Sequence, residues 1–263
     1  MLSTVEEQEH YPEFLADAEN EAACRARLSD YLTRVGQEPV DKNVHELFSL
    51  ESGVADRFNY FAPRMPANTR RRLLVSGCAA GSEMIIAREY GFQEIVGTEV
   101  VQDYVEITNA RLIGQNGFHV VLYDGWNLPF ASDSFTAVVS GHIIEHTPSP
   151  YHYLNEHMRV LAPQGCLFLE FPNRYHRVEL HTGLPSLEYL PRPLRSLGLR
   201  YCASRFSVFS AEKRRRYNDI LQTLQPVSVW QIKMYLSRMK YRNARVVNHY
   251  APVPGYTRML IGK

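Results

Sequence analysis

The stretch Leu73-Leu74-Val75-Ser76-Gly77-Cys78-Ala79-Ala80-Gly81 decides how the rest of the chain is read. An apolar run ends there in a turn of small residues, and Glu83-Met84-Ile85-Ile86-Ala87-Arg88 continues as a helix. Glycine and alanine carry little or no side chain, so such a strand-to-helix turn lets a ligand approach the backbone closely. The same residues also suit plain close packing, and the stretch alone does not separate the two readings.

Downstream, the apolar pattern alternates between short runs and helical spacing. Ser82–Tyr90 reads as a helix, Glu94–Thr98 as a strand, and Val101–Leu112 as a helix with Tyr104, Val105, Thr108 and Leu112 along one side. Phe118–Tyr123 and Phe135–Ser140 are strands, Tyr153–Leu161 is a helix, and Gly165–Phe171 is a further strand. Near-continuous apolar strands alternating with helices predict a parallel sheet covered on both faces. Beyond Pro172 the residues to 195 are rich in Pro, His and Tyr around a short helix, Ser186–Leu190. Helices over 211–224 and 228–241 follow, and strands Arg245–Tyr250 and Tyr256–Ile261 close the chain as a hairpin.

Upstream, Glu6–Leu15 and Glu19–Leu32 carry helical patterns, with Ala22, Ala23, Ala26 and Leu28 among the apolar positions. Val44, Leu47 and Phe48 suit another short helix, and the aromatic stretch Phe58, Tyr60, Phe61 ends at prolines. Residues 1–70 are expected as a helical cap, either packed on the main domain or serving as a lid. Arg70-Arg71-Arg72 reads as a solvated entry to the first strand or as a phosphate contact.

At 263 residues, 45% hydrophobic and 22% charged, the chain has an ordinary globular balance and is most simply one domain with additions. A net charge of +1 gives no global field for nucleic acid. Cys24, Cys78, Cys166 and Cys202 are far apart, and no pair has metal-ligand spacing. The acidic first residues lack a signal-peptide core and no run is long enough to span a membrane, so a reduced, cytoplasmic protein is expected.

Polar residues recur where strands end. Glu99 follows the second strand eighteen residues past Gly81, a position from which a carboxylate accepts both hydroxyls of a ribose. Asp124 follows the third strand, where it either receives an adenine amino group or caps the next turn. Ser140, Gly141 and His142 follow the fourth, with Glu145 and His146 beyond. Singly each has a structural reading; their convergence on one sheet edge favours a site.

The small-residue turn, the sheet pattern and Asp124-Gly125-Trp126-Asn127-Leu128-Pro129-Phe130 through Ile144-Glu145-His146 resemble the class I S-adenosylmethionine-dependent methyltransferases. The likeness runs over residues 70–173 and is strongest to the small-molecule branch related to ubiquinone and menaquinone biosynthesis. It implies an α/β three-layer sandwich with a mostly parallel seven-stranded sheet, a Rossmann-like methyltransferase domain over 71–263, with 174–242 as substrate loop and helical insertion before the last hairpin. It implies S-adenosylmethionine as cofactor and S-adenosylhomocysteine as product. Gly77, Ala79 and Gly81 then pass by its methionine part, Glu99 holds its ribose, Asp124, Gly125 and Trp126 lie by its adenine, and Val100 is a further cofactor contact. Ser140 and His142 are assigned to the methionine side or the transferred methyl. Val75 and Ala79 depart from the family, which usually has an acidic residue and a glycine there.

Methyl transfer needs an acceptor in line with the S–CH3 bond, on the side of the methyl away from sulfur, and a destination for one proton. His142, His146, His176 and His181 are the candidate bases, and Tyr151, Arg174, Tyr175, His176 and His181 the candidate substrate contacts. Arg177, Arg192, Arg195 and Arg200 surround the same loop. The expected partner is a small molecule, without nucleic acid or metal, and the chain a monomer or homodimer. A nucleic-acid methyltransferase and a non-catalytic cofactor-binding protein are the competing readings.

Overall fold

Arg72–Ser76 forms β1, and every residue from Leu73 to Ser76 is buried, as an interior strand covered on both faces requires. The computed structural model describes residues 17–51, 53–65, 70–176, 194, 197–198, 201, 223–239, 244–250 and 256–263. The chain divides into two compact units, Met1–Phe130 with Ser134–Val138, and Ala131–Asp133 with Val139–Lys263.

In the first unit, β1 is followed by α4 (Ser82–Glu89), β2 (Glu94–Glu99), α5 (Gln102–Arg111) and β3 (Phe118–Leu122). β1 and β2 are parallel with Val75 opposite Gly97, and β2 and β3 are parallel with Glu99 opposite Leu122. β3 is an edge strand, so His119 and Leu122 are exposed where β1 has only buried positions. Before the sheet come α1 (Ala18–Arg34), α2 (Val40–Phe48) and α3 (Gly53–Phe61). Asp17 caps α1 by accepting the Asn20 amide at 3.0 Å. Cys24, Leu28, Leu32 and Phe48 form a cluster with Ala80 and Ile107, which packs α1 and α2 on the turn after β1 and on α5. Each buried leucine there contributes about 1.5–3 kcal/mol.

Two expectations change in this region. Ala22, Ala23 and Ala26 are exposed, and the buried line of α1 is Glu21, Cys24, Leu28 and Leu32. Alanine favours the helix but gains little from burial, so the larger side chains choose the inward face. Arg70 and Arg72 are not simply solvated: Arg70 donates to the Ala62 and Tyr90 carbonyls, and Arg72 pairs with Glu94 at 3.0 Å and lies over the Phe135 ring. The aromatic stretch is helix α3, whose Phe58 and Phe61 meet Phe92.

β4 (Phe135–Gly141) begins in the first unit, where it neighbours β1, and ends in the second. The second unit continues with α6 (Pro150–Val160), β5 (Leu161–Pro172), α7 (Val229–Arg238), β6 (Arg245–Tyr250) and β7 (Tyr256–Gly262). Strand order here is β4-β5-β7-β6, with β7 antiparallel to both neighbours. The seven strands make the mostly parallel sheet of an α/β Rossmann-like domain, with helices at its N-terminal side in sequence and α7 before the final hairpin. The helices expected over 6–15, 186–190 and 211–224 fall outside the described residues, apart from Thr223 and Leu224.

Candidate active site

The turn after β1 is clamped to the end of β2. Gly77 and Cys78 both donate to the Thr98 carbonyl, at 2.9 and 3.1 Å, and the Ala79 amide donates to Glu99 Oε1 at 2.7 Å. Gly77, Ala79 and Gly81 all have positive φ, 70°, 44° and 84°, so the alanine occupies a left-handed conformation that favours glycine. Glu99 is 7% exposed, and its Oε2 also accepts the Val100 amide at 3.1 Å. Burial pushes its carboxyl above the usual range, opposed by the amides of Ala79, Val100 and Val101. Tyr104 and Tyr123 are each pushed up to about 12 by burial, with the Glu99 charge adding to it, so both phenols stay protonated.

Val100 and Trp126 are exposed apolar side chains at the ends of β2 and β3. Gly125, at φ 74°, stands so that a Cβ there would come within 3.2 Å of Val100 Cγ1. Asp124 Oδ1 accepts the Trp126 and Asn127 amides, both at 2.8 Å, and thereby closes the turn that presents Trp126.

Sequence reasoning missed what holds this loop from behind. Arg111 of α5 is 2% exposed. It makes two 2.8 Å bonds to Glu21 of α1 and donates to the Ala80 carbonyl at 2.8 Å, Ser82 Oγ at 2.9 Å and the Phe48 carbonyl at 3.2 Å. Thr108 donates to the Ala79 carbonyl. The sequence signal was only a charged residue at the helical spacing of Thr108 and Val105.

In the second unit, the ends of β4, β5 and β7 carry a linked polar cluster. His142 has φ 57°, and its backbone amide donates to the Glu170 carbonyl at 2.8 Å. Its Nε2 lies 3.0 Å from Glu170 Oε1, and Arg258 Nε donates to the other Glu170 oxygen. Tyr256 meets the His142 ring in a T-shaped contact at 4.8 Å. Glu170 and Arg258 are opposed in the β5–β7 register, a cross-strand pair signalled only by a lone acid within an apolar strand. Ser140 is fully buried, with Oγ 2.7 Å from the Tyr153 hydroxyl. Beneath it His157 Nδ1 lies 2.7 Å from the Tyr153 carbonyl, and burial pushes this imidazole down to about 4.

The segment after β5 is also placed. Arg174 N donates to the Val227 carbonyl at 3.0 Å, Tyr175 N to Asn173 Oδ1 at 3.0 Å, and His176 N to the Asn173 carbonyl at 2.9 Å. The Tyr175 side chain is exposed, and Tyr151 packs edge-on against Tyr235 of α7 at 5.4 Å. His181 and the arginines at 177, 192, 195 and 200 lie outside the described residues. Among the described residues no cluster has the makings of a metal site, and no helix is long and apolar enough to cross a membrane.

Residues 74–169 match a family described as a methyltransferase domain, and the chain carries the class I S-adenosylmethionine-dependent methyltransferase fold. An uncharacterized methyltransferase of Mycobacterium tuberculosis is 30% identical over 129 residues, 46% of this chain and 50% of that protein. The 27-O-demethylrifamycin SV methyltransferase of Amycolatopsis mediterranei is 27% identical over 127 residues, 47% of each chain. The demethylmenaquinone methyltransferase of Staphylococcus haemolyticus is 31% identical over 74 residues, 28% of this chain and 31% of that one. The chain thus spans about half, or less, of the curated relatives it matches. A solved S-adenosylmethionine-dependent methyltransferase from Mesorhizobium loti shares the fold at TM-score 0.57 and 12% identity, over 82% of this chain and 100% of that one.

Proposed function

We propose that this chain transfers a methyl group from S-adenosylmethionine to a small organic acceptor. The observation that carries the reading is the cradle at the ends of β2 and β3. The buried Glu99 carboxylate lies beside the amides of a small-residue turn, and the exposed Val100 and Trp126 flank Gly125. This donor set fits the cofactor: Glu99 would accept the ribose hydroxyls, and Val100 with Trp126 would cover the adenine, a flat apolar group with polar edges. When bound, S-adenosylmethionine supplies an electrophilic methyl on a sulfonium centre.

The chain's own task is then to hold the acceptor and manage its proton. Arg174, Tyr175 and His176 on the turn after β5, with Tyr151 on α6, are the described residues assigned to the acceptor, and a histidine takes its proton. Likeness to the rifamycin enzyme supports a small-molecule acceptor, and likeness to the menaquinone enzyme over a shorter span supports the quinone-related branch.

Calorimetric titration with S-adenosylmethionine and S-adenosylhomocysteine tests the reading. Both are expected to bind, and Glu99→Ala is expected to weaken them about tenfold or more, the worth of a charge-assisted hydrogen bond. No binding to the intact chain, or equal binding by the variant, sinks the assignment.

A further inference from the structure

Glu145, in the single helical turn Ile144–His146 after β4, is 2% exposed, and neither side-chain oxygen has a hydrogen-bond partner among the described residues. Burying a carboxylate without a donor is costly, so such a site favours a positive charge beside it. Two imidazoles stand within ion-pair range of the same oxygen: His142 Nδ1 at 3.8 Å and His146 Nε2 at 3.9 Å from Oε1.

The two rings are not equivalent. The His146 side chain is 49% exposed, where water can serve either protonation state. His142 is less exposed, and its other nitrogen faces a second buried carboxylate, Glu170, at 3.0 Å. Among the described residues, the charged and titratable groups facing His142 are Glu145 and His146 from its own segment, Glu170 from β5, and Tyr256 and Arg258 from β7. Arg258 donates to one oxygen of Glu170, and no hydrogen-bond donor reaches Glu145 among the described residues.

We propose that His142 is a standing imidazolium held between Glu145 and Glu170, a positioning cation rather than the proton acceptor. Its Nε2–H donates to Glu170 and its Nδ1, 3.8 Å from Glu145 Oε1, carries the second proton, so the ring keeps no lone pair for an incoming one. Glu145 is the residue that makes this so. The inference rests on the methyl-transfer reading, and it moves the base away from His142 to another of the candidate histidines. His142 instead fixes the left-handed end of β4 to β5 through Glu170.

The test is an imidazole-nitrogen NMR titration of the full chain, with no cofactor or acceptor added. The midpoint of His142 is expected about one unit or more above the ordinary value near 6.5, with both nitrogens protonated at neutral pH. Glu145→Gln is expected to lower its proton affinity about tenfold or more. A midpoint at or below the ordinary value overturns the proposal, as does one that the substitution leaves unmoved. If the variant does not fold, the unmodified chain decides, because a bare ring nitrogen at neutral pH is equally fatal. Calorimetry with S-adenosylmethionine on the same sample separates the two readings. A charged His142 in a chain that binds no cofactor defeats methyl transfer alone.

Discussion

Ala79 holds a left-handed backbone conformation because three neighbours fix it. Glu99 takes its amide, Thr108 donates to its carbonyl, and Gly81 turns the chain into α4. For a residue with a Cβ that conformation costs about 1–2 kcal/mol, while glycine loses about 0.5–1 kcal/mol more entropy on folding. Ala79→Gly is therefore expected to raise stability by about 0.5–1 kcal/mol, read from urea unfolding. A loss of stability instead would mean that the methyl group packs more usefully than the turn is strained. Val75, the other departure from the resembled family, is fully buried opposite Gly97, so it serves the core where an acid would need a donor.

Helix α5 holds the turn, and through it α1 is joined to the same place. Arg111 bridges Glu21, the Phe48 and Ala80 carbonyls and Ser82 from a fully buried position. Removing one partner of a buried pair costs about 3–5 kcal/mol, so Arg111→Met is expected to lose that much in urea unfolding and to weaken S-adenosylmethionine in calorimetry. Arg111→Lys is expected to rescue little, because one ammonium cannot replace a planar fork with five donors. Stability near that of the unmodified chain in either variant would show that the bridge is dispensable. This bridge also marks where sequence reading stopped. The strand, turn and helix of 73–89, and Glu99 and Asp124 at strand ends, were legible because period and chain punctuation are local. Glu21 and Arg111 are 90 positions apart, Glu170 and Arg258 are 88 apart, and only the tertiary fold pairs them. The exposed alanines of α1 misled for a related reason: helical period locates a stripe, but burial on α5 decides which stripe faces inward.

Across the whole molecule, acid sensitivity follows from a buried group to which no part of the proposed chemistry is assigned. His157 is buried and neutral, and burial pushes it down to about 4, whereas the unfolded chain takes up that proton near pH 6.5. Above that value neither state binds the proton, and the folded chain carries no penalty. As pH falls through the window the unfolded state binds more protons, so stability declines, by about 3 kcal/mol at its acid end. His157→Gln is expected to flatten that decline in urea midpoints measured from pH 7 to pH 4. An unchanged slope would place the acid sensitivity on other groups. A different consequence follows from Gly97, where a Cβ would come within 2.6 Å of both Cys78 Sγ and Met84 Sδ. A side chain at 97 therefore needs room from Cys78 and Met84 together, by a smaller residue or a displaced side chain at each. Strand, turn and helix therefore constrain one another at this point, and the histories of positions 78, 84 and 97 are tied together.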